Sequence, residues 1–215
     1  GDVNRQLLNL HHSANIGSDF MNDVLSNKGS ARHTWKEYLK TRFETGEPYS
    51  FFSDNVEKNK PESYKKLGLK INGSNLCNEI YLHTSEEYTF VCCLSSLNLA
   101  KWDEWKDSDV VELSIMFLDG VMEEFITKAK SKPGFSKAVA FAEKSRALGL
   151  GVLGFHTLLQ QKNLAYSDLQ TKILNNLIFK TIRDKADKAT EYLAKEYGEP
   201  DWCKGFGRRN THCLA

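Results

Sequence analysis

Several things are scarce in this sequence, and each scarcity removes a class of function. No apolar run approaches the roughly 20 residues that a membrane-spanning helix needs. The first stretch, GDVNRQLLNLHHSANIG, lacks the charged-then-apolar layout of a secretory signal. Net charge is almost nil, with 29 basic side chains against 28 acidic ones. No global field therefore draws the chain to nucleic acid or to an anionic membrane surface. The five cysteines, Cys77, Cys92, Cys93, Cys203 and Cys213, include no C-x-x-C pair and no zinc-finger spacing. They form no framework of the secreted kind, so the expected setting is reducing and cytoplasmic, with thiols kept for chemistry. There is no internal repeat, low-complexity tract or clear linker. What is present is a chain of 215 residues, long enough to bury about 70% of its unfolded surface in one large domain or two small ones.

The first third mixes short helices with loops. Thr34-Trp35-Lys36-Glu37 fits a capping box, followed by a helical stripe of Trp35, Tyr38, Leu39 and Phe43 that should stop near Gly46-Glu47-Pro48. PYSFF reads as a short strand, and Asp54 to Lys66 as loop or broken helix punctuated by Pro61. From Leu69 to Leu99 the composition turns to β, with EIYLH and YTFVCCL as the strand candidates. A turn at Thr84-Ser85 would pair them antiparallel and set Cys92 opposite Cys77, although no Gly or Asn there supplies positive φ.

The remainder, about 108–198, is mainly helical. Val110, Leu113, Phe117, Leu118, Val121 and Phe125 give an amphipathic period ending before Pro133-Gly134. SKAVAFAEKSRA is a second helix. Ser167-Asp168-Leu169-Gln170 fits another capping box, ahead of a long helix that carries Leu174, Leu177, Ile178, Ile182, Ala186, Ala189 and Leu193 and ends at Gly198 and Pro200. Gly149-Leu150-Gly151-Val152-Leu153-Gly154 matches the dinucleotide fingerprint G-x-G-x-x-G letter for letter. That fingerprint has meaning only after a strand and with an acidic residue about 20 positions on. A helical segment precedes this one and Asp168 comes too early, so a tight backbone bend is the better reading.

The stretch SNLCNEI places an amide, a thiol and a carboxylate at alternating positions: Asn75, Cys77 and Glu79. Successive side chains of a strand point to opposite faces, so these three share a face if the segment is extended. A narrow loop would also bring them together; a helix would fan them apart. Three chemistries fit such a set. A zinc site would draw on Cys77, His83, Cys92 and Cys213, at spacings that match no standard pattern. A cysteine nucleophile would need His83 or His156 as its base. Thiyl-radical and dithiol chemistry needs neither metal nor histidine. Of the adjacent Cys92 and Cys93, strand alternation lets one at most face the same pocket as Cys77.

SNLCNEI, then CCLSSLNL, then RALGLGVLGFHTLLQ resemble, in order, the active-site finger loop and following segments of the large subunit of class I ribonucleotide reductases. LHHSANIGSDFMNDV and TRFETGEPYSFF, upstream, fit the same family, so the resemblance covers essentially the whole chain. Leu76 favours this class over the cobalamin-dependent relatives, which tend to have proline before the cysteine. The fold implied is α/β: the chain, 1–215, would be part of a ten-stranded α/β barrel with a finger loop at about 72–84 and a largely helical C-terminal half. By resemblance, Cys77 is the thiyl-radical cysteine that abstracts the 3′ hydrogen of the ribose. Glu79 takes the 3′-hydroxyl proton, and Asn75, with Ser74, binds the sugar. Cys92 corresponds to one of two cysteines that deliver reducing electrons and close into a disulfide. Cys93 lies where the family needs no thiol, and Cys203 and Cys213 are expected to be structural.

The same resemblance implies partners: a ribonucleotide substrate, a small subunit whose metal centre generates the radical, and thioredoxin or glutaredoxin as reductant. It implies no directly bound cofactor or metal, no nucleic acid and no membrane. The family's partner for Cys92, its regulatory region, its phosphate-binding loop after RRNTHCLA and its radical-transfer tyrosines have no counterpart in the sequence. The expectation is a piece of the large subunit, inactive alone and completed by the remaining large-subunit polypeptide. Gly1 would be a remnant of its preparation. The competing expectation is a non-catalytic scaffold or assembly fragment of the same fold.

Overall fold

The computed structural model describes residues 10–214; the Gly1 reading and most of the stretch examined for a signal lie outside them. The chain divides into two compact units. One comprises the residues up to Lys60 together with Gly68–Thr84, and the other comprises Pro61–Leu67 with the chain from Ser85 onward.

The first unit is built on a short parallel pair, β1 (Ser13–Asn15) beside β2 (Tyr49–Phe51), in the register Ser13↔Tyr49 to Asn15↔Phe51. Two helices connect them, α1 (Ser18–Leu25) and α2 (Ala31–Thr45). Helix α2 stops where expected, at Gly46, whose φ of 82° only glycine adopts freely. Its start differs from the expected capping box: the helix begins at Ala31, so Thr34 sits inside the first turn. The PYSFF strand is β2. Pro61 separates α3 (Ser53–Asn59) from α4 (Glu62–Lys66), which belongs to the second unit, because proline cannot donate the helical hydrogen bond. Ile16, Val24, Phe51, Ile71, Ile80 and Leu82 form the buried interior of the first unit.

In the second unit, β3 (Cys93–Asn98) pairs in parallel with β4 (Leu148–Leu153), from Cys93↔Leu148 to Asn98↔Leu153. A bridge between Leu150 and Leu214 extends the sheet on the other side of β4. The expected antiparallel hairpin is absent: residues 79–92 form no strand, and the partner of β3 lies some fifty residues later. The missing turn chemistry at Thr84-Ser85 was the local sign of this, since a tight hairpin needs positive φ. GLGVLG turns out to be strand β4 almost throughout. The Leu148 and Leu150 amides donate to the carbonyls of His212 and Cys213, so sheet pairing uses the N–H groups that a phosphate cradle would require. Only Gly154 forms the bend. Its φ is 77°, and a Cβ there would lie 2.8 Å from the Asn98 Oδ1.

Helix α5 (Trp102–Trp105), α6 (Val110–Ala129), α7 (Ser136–Ser145), α8 (Phe155–Gln161) and α9 (Leu169–Tyr197) complete the unit. The second expected capping box is also revised: Asp168 is the N-cap residue of α9, and its carboxylate accepts from the Ala165 amide. The core lies between the β3–β4 sheet and α6 and α9. Helix α6 buries Val111, Ile115, Leu118, Met122 and Ile126; of the expected period Leu118 is buried and Val110 and Phe125 are partly buried, while Leu113, Phe117 and Val121 are exposed. Periodicity misleads here because α6 is apolar on more than one face. On α9 the expected stripe is buried from Ile178 onward, while Leu177 is exposed. No helix among the described residues is long and apolar enough to cross a membrane.

One polar cluster ties this unit together. Asp119 of α6 accepts from Arg146 Nε at 2.9 Å and Nη2 at 3.0 Å, from Arg209 Nε at 2.9 Å and from Asn210 Nδ2 at 2.8 Å. Thr190 of α9 donates to Asn210 Oδ1 at 2.9 Å, and Arg209 donates to the carbonyls of Tyr197 and Gly198 at the end of α9. These bonds pin the segment 208–214 beside β4. Burial pushes the Asp119 carboxyl upward, but its bonds to Arg146, Arg209 and Asn210 outweigh this and hold it below its ordinary value. A depressed folded-state pKa stabilises the fold above the unfolded carboxyl's value, and that stability is lost as pH falls through the folded value. The urea midpoint should therefore fall below about pH 4. Asp119→Asn should flatten that part of the profile, as read by tryptophan fluorescence; an unchanged slope in the variant would contradict the assignment.

Candidate active site

SNLCNEI is neither strand nor helix but a tight turn, so the strand-face argument fails and the segment is a narrow loop. Of the three residues, Asn75 lines the cleft beside it and Cys77 and Glu79 do not. The Asn78 amide donates to the Asn75 carbonyl at 3.1 Å, closing a β-turn with Leu76 and Cys77 at its two central positions. The Asn75 amide donates to the Ile80 carbonyl at 3.2 Å, closing the loop behind the turn. Asn75 organises the interior as well. Its Oδ1 accepts from the Glu79 amide at 3.1 Å and the Ile80 amide at 2.9 Å. This Asx-type bonding is the reason an asparagine can replace strand pairing in such a loop.

The consequence for chemistry is direct. The acceptor half of the Asn75 carboxamide is used within the loop, whereas its N–H2 group donates to nothing among the described residues. Asn75 is equipped to donate to a ligand rather than to accept from one. Cys77 and Glu79 are exposed, and Ser74 is half-buried with its hydroxyl donating to the Asn75 carbonyl at 3.0 Å. Beside the turn lies an open cleft of about 210 Å³ that Ser74, Asn75 and Leu76 share with His12, Ser13 and Tyr49. His11, at the same cleft, pairs through Nδ1 with Glu47, and that bond holds the Glu47 carboxyl below its ordinary value.

Cys92 belongs to the second unit. It precedes β3 and is half-buried. Burial, reinforced by the Cys93 and Cys213 thiols, pushes the Cys92 thiol up to about 12. Cys93 is the first residue of β3 and packs against the hydrophobic core. Cys203 and Cys213 are buried, and burial likewise pushes Cys203 up to about 12. Iodoacetamide should accordingly label Cys77 first, with Cys92, Cys203 and Cys213 slower by on the order of 10²-fold, because the thiolate is the reactive form. Peptide mass spectrometry of a time course reads this order; Cys92 labelled as fast as Cys77 would contradict it.

The histidines named for a zinc site or a cysteine nucleophile lie as follows. His83 is buried, with Nδ1 donating to the Lys70 carbonyl at 2.6 Å. His156 stacks on Tyr166. Among the described residues, no three His, Cys, Asp or Glu side chains group so as to hold a metal ion.

Two features, one of the turn and one of the second unit's core, were not read from the sequence. Asn78 takes a φ of 63°, and its signal was visible, since asparagine is the non-glycine residue most at ease in that region. The Asp119 cluster was signalled only by an acid in the middle of an apolar helix.

The family model of the ribonucleotide reductase barrel domain matches residues 10–212. A putative ribonucleoside-diphosphate reductase large subunit of Frog virus 3 is 42% identical over the whole of this chain, which covers 41% of that protein. The large subunit of Invertebrate iridescent virus 3 is 40% identical over 86% of the chain and 29% of its own length. Among solved structures, the Actinobacillus ureae class Id ribonucleotide reductase alpha subunit superposes with a TM-score of 0.93 at 45% identity. That superposition covers 95% of this chain and 39% of the subunit. The chain thus spans well under half the length of these relatives. Matched along nearly all of its described length, the chain belongs to the ribonucleotide reductase barrel-domain family.

Proposed function

We propose that this chain is the part of a ribonucleoside-diphosphate reductase large subunit that carries the radical-bearing finger loop, and that it acts with the remaining large-subunit polypeptide in deoxyribonucleotide synthesis. The observation that carries this reading is the N-x-C-x-E turn, with Cys77 exposed at its tip, in a chain that matches the barrel domain from 10 to 212. In this reading the strands described above belong to a ten-stranded α/β barrel. Cys77 takes the 3′ hydrogen of the ribose, and Glu79 accepts the 3′-hydroxyl proton, a task within a carboxylate's reach at hydrogen-bond distance. Asn75 donates to a sugar hydroxyl through the amide group that the loop leaves unused, and Ser74 lines the same cleft.

Cys92 is the redox-active thiol of the adjacent pair, the position that the family resemblance of CCLSSLNL assigns to it. The radical comes from a metal-containing small subunit, and thioredoxin or glutaredoxin re-reduces the disulfide, in a cytoplasmic setting. The test is reconstitution. The chain is mixed with polypeptides supplying the rest of a large subunit, a radical-generating small subunit and a ribonucleoside diphosphate. Deoxynucleotide should form in the mixture and not when this chain is left out. No product, where an intact large subunit works under the same conditions, would overturn the reading.

A further inference from the structure

The turn that presents Cys77 has an anchor next to the thiol. Asn78 Nδ2 donates to the Ser50 carbonyl of β2 at 2.9 Å, a bond that reaches across 28 positions of sequence. The Asn78 carbonyl accepts from the Tyr81 hydroxyl at 2.8 Å. The Tyr81 ring packs on Phe51 with centroids 5.6 Å apart, and Phe51 is fully buried. The backbone of Asn78 is in the left-handed region, its amide closes the Cys77 turn, and its Oδ1 is buried without a hydrogen-bond partner among the described residues. An amide held with its acceptor unpaired is held there by its donor. From these contacts we infer that Asn78 is a positioning residue for Cys77, tying the exit of an exposed turn to β2 so that the sulfur stays at one place.

The inference rests on the reading of Cys77 as the residue that takes the substrate hydrogen. Hydrogen transfer requires close approach of sulfur to the C–H bond, and a misplacement of about 1 Å costs on the order of 10²-fold in rate. The neighbouring Asn75 fixes the entry to the turn from within the loop, whereas Asn78 fixes its exit to a different element.

Asn78→Gly separates anchoring from backbone conformation, because glycine accepts the same φ without strain. In the reconstituted enzyme, this variant should lower kcat about 10-fold or more with KM for the nucleotide unchanged. Melting temperature should stay near that of the parent, and amide exchange across 75–80 should quicken. A merely structural role would instead lower melting temperature and the folded fraction, with kcat per folded molecule intact. Tyr81→Phe, which removes only the second tie, should move kcat the same way by a smaller factor and serves if the glycine variant does not fold. Unchanged kcat per folded molecule in these variants, with Cys77→Ser inactive, would overturn the positioning role alone. Turnover by Cys77→Ser would overturn the reading of Cys77 and the inference with it.

Discussion

Asp119→Ala should cost the second unit about 3–5 kcal/mol, because removing one partner of a buried ion pair leaves the other charge buried with only its bond to the exposed Glu123 to balance it. Arg146 is the group left behind. Its side chain is 5% exposed, and two of its nitrogens bond the Asp119 carboxylate at 2.9 and 3.0 Å. Arg209 and the fully buried Asn210 lose a partner in the same step. Glu123 does not replace the lost carboxylate, since it meets Arg146 from an exposed position. Glu123→Ala should cost under about 1 kcal/mol, the usual worth of a pair with one solvated member. Against a total stability of about 5–15 kcal/mol for a natural domain, the Asp119 loss is large. Asp119→Asn should cost nearly as much, because its N–H2 group would face a guanidinium donor. Urea midpoints of the three variants measure the contrast; equal costs for Asp119→Ala and Glu123→Ala would contradict it.

Cys77→Ala should abolish deoxynucleotide formation in the reconstituted enzyme, with a loss of about 10³-fold or more, if the proposed role of Cys77 in the chemistry holds. The structure predicts that the fold will not notice. Cys77 is exposed, and the bonds that shape its turn run through Asn75, Asn78 and the backbone rather than through sulfur. Melting temperature should therefore match the parent within a degree or so, a surface change being worth less than about 0.5 kcal/mol. Glu79→Gln should be the milder lesion. It removes the base of the proposed function, a role worth about 10²–10⁴-fold, while keeping the side chain's size and its exposed position.

Much of this architecture was legible because it is local. Gly46 stops α2, Pro61 breaks α3 from α4, and the apolar repeat of α9 runs to Gly198, each through the conformational limits of single residues. What was not legible depends on distant partners. The alternation of Asn75, Cys77 and Glu79 suits a strand and a tight loop equally; what decides for the loop is Asn75 bonding its own downstream amides and Asn78 accepting positive φ. The parallel pairing of β3 with β4 joins segments about fifty residues apart, and no local signal specifies it. The buried face of α6 was misread because Leu113 and Phe117 are as apolar as Ile115 and Met122, and only the sheet and α9 choose between them. Asp119 makes the same point from the polar side: its partners lie 27 and 91 positions away.

The central claim is that Cys77 acts through sulfur as a hydrogen-atom carrier. Cys77→Ser tests it most directly, since serine keeps the side chain's length, its donor and the turn while replacing a weak S–H bond by a strong O–H bond. The measurement is deoxynucleotide formation by the serine variant, reconstituted with the complementary polypeptides and radical-generating subunit, alongside nucleotide binding by the same sample. The prediction is full binding with no product. Binding together with turnover near the parent rate would contradict the account.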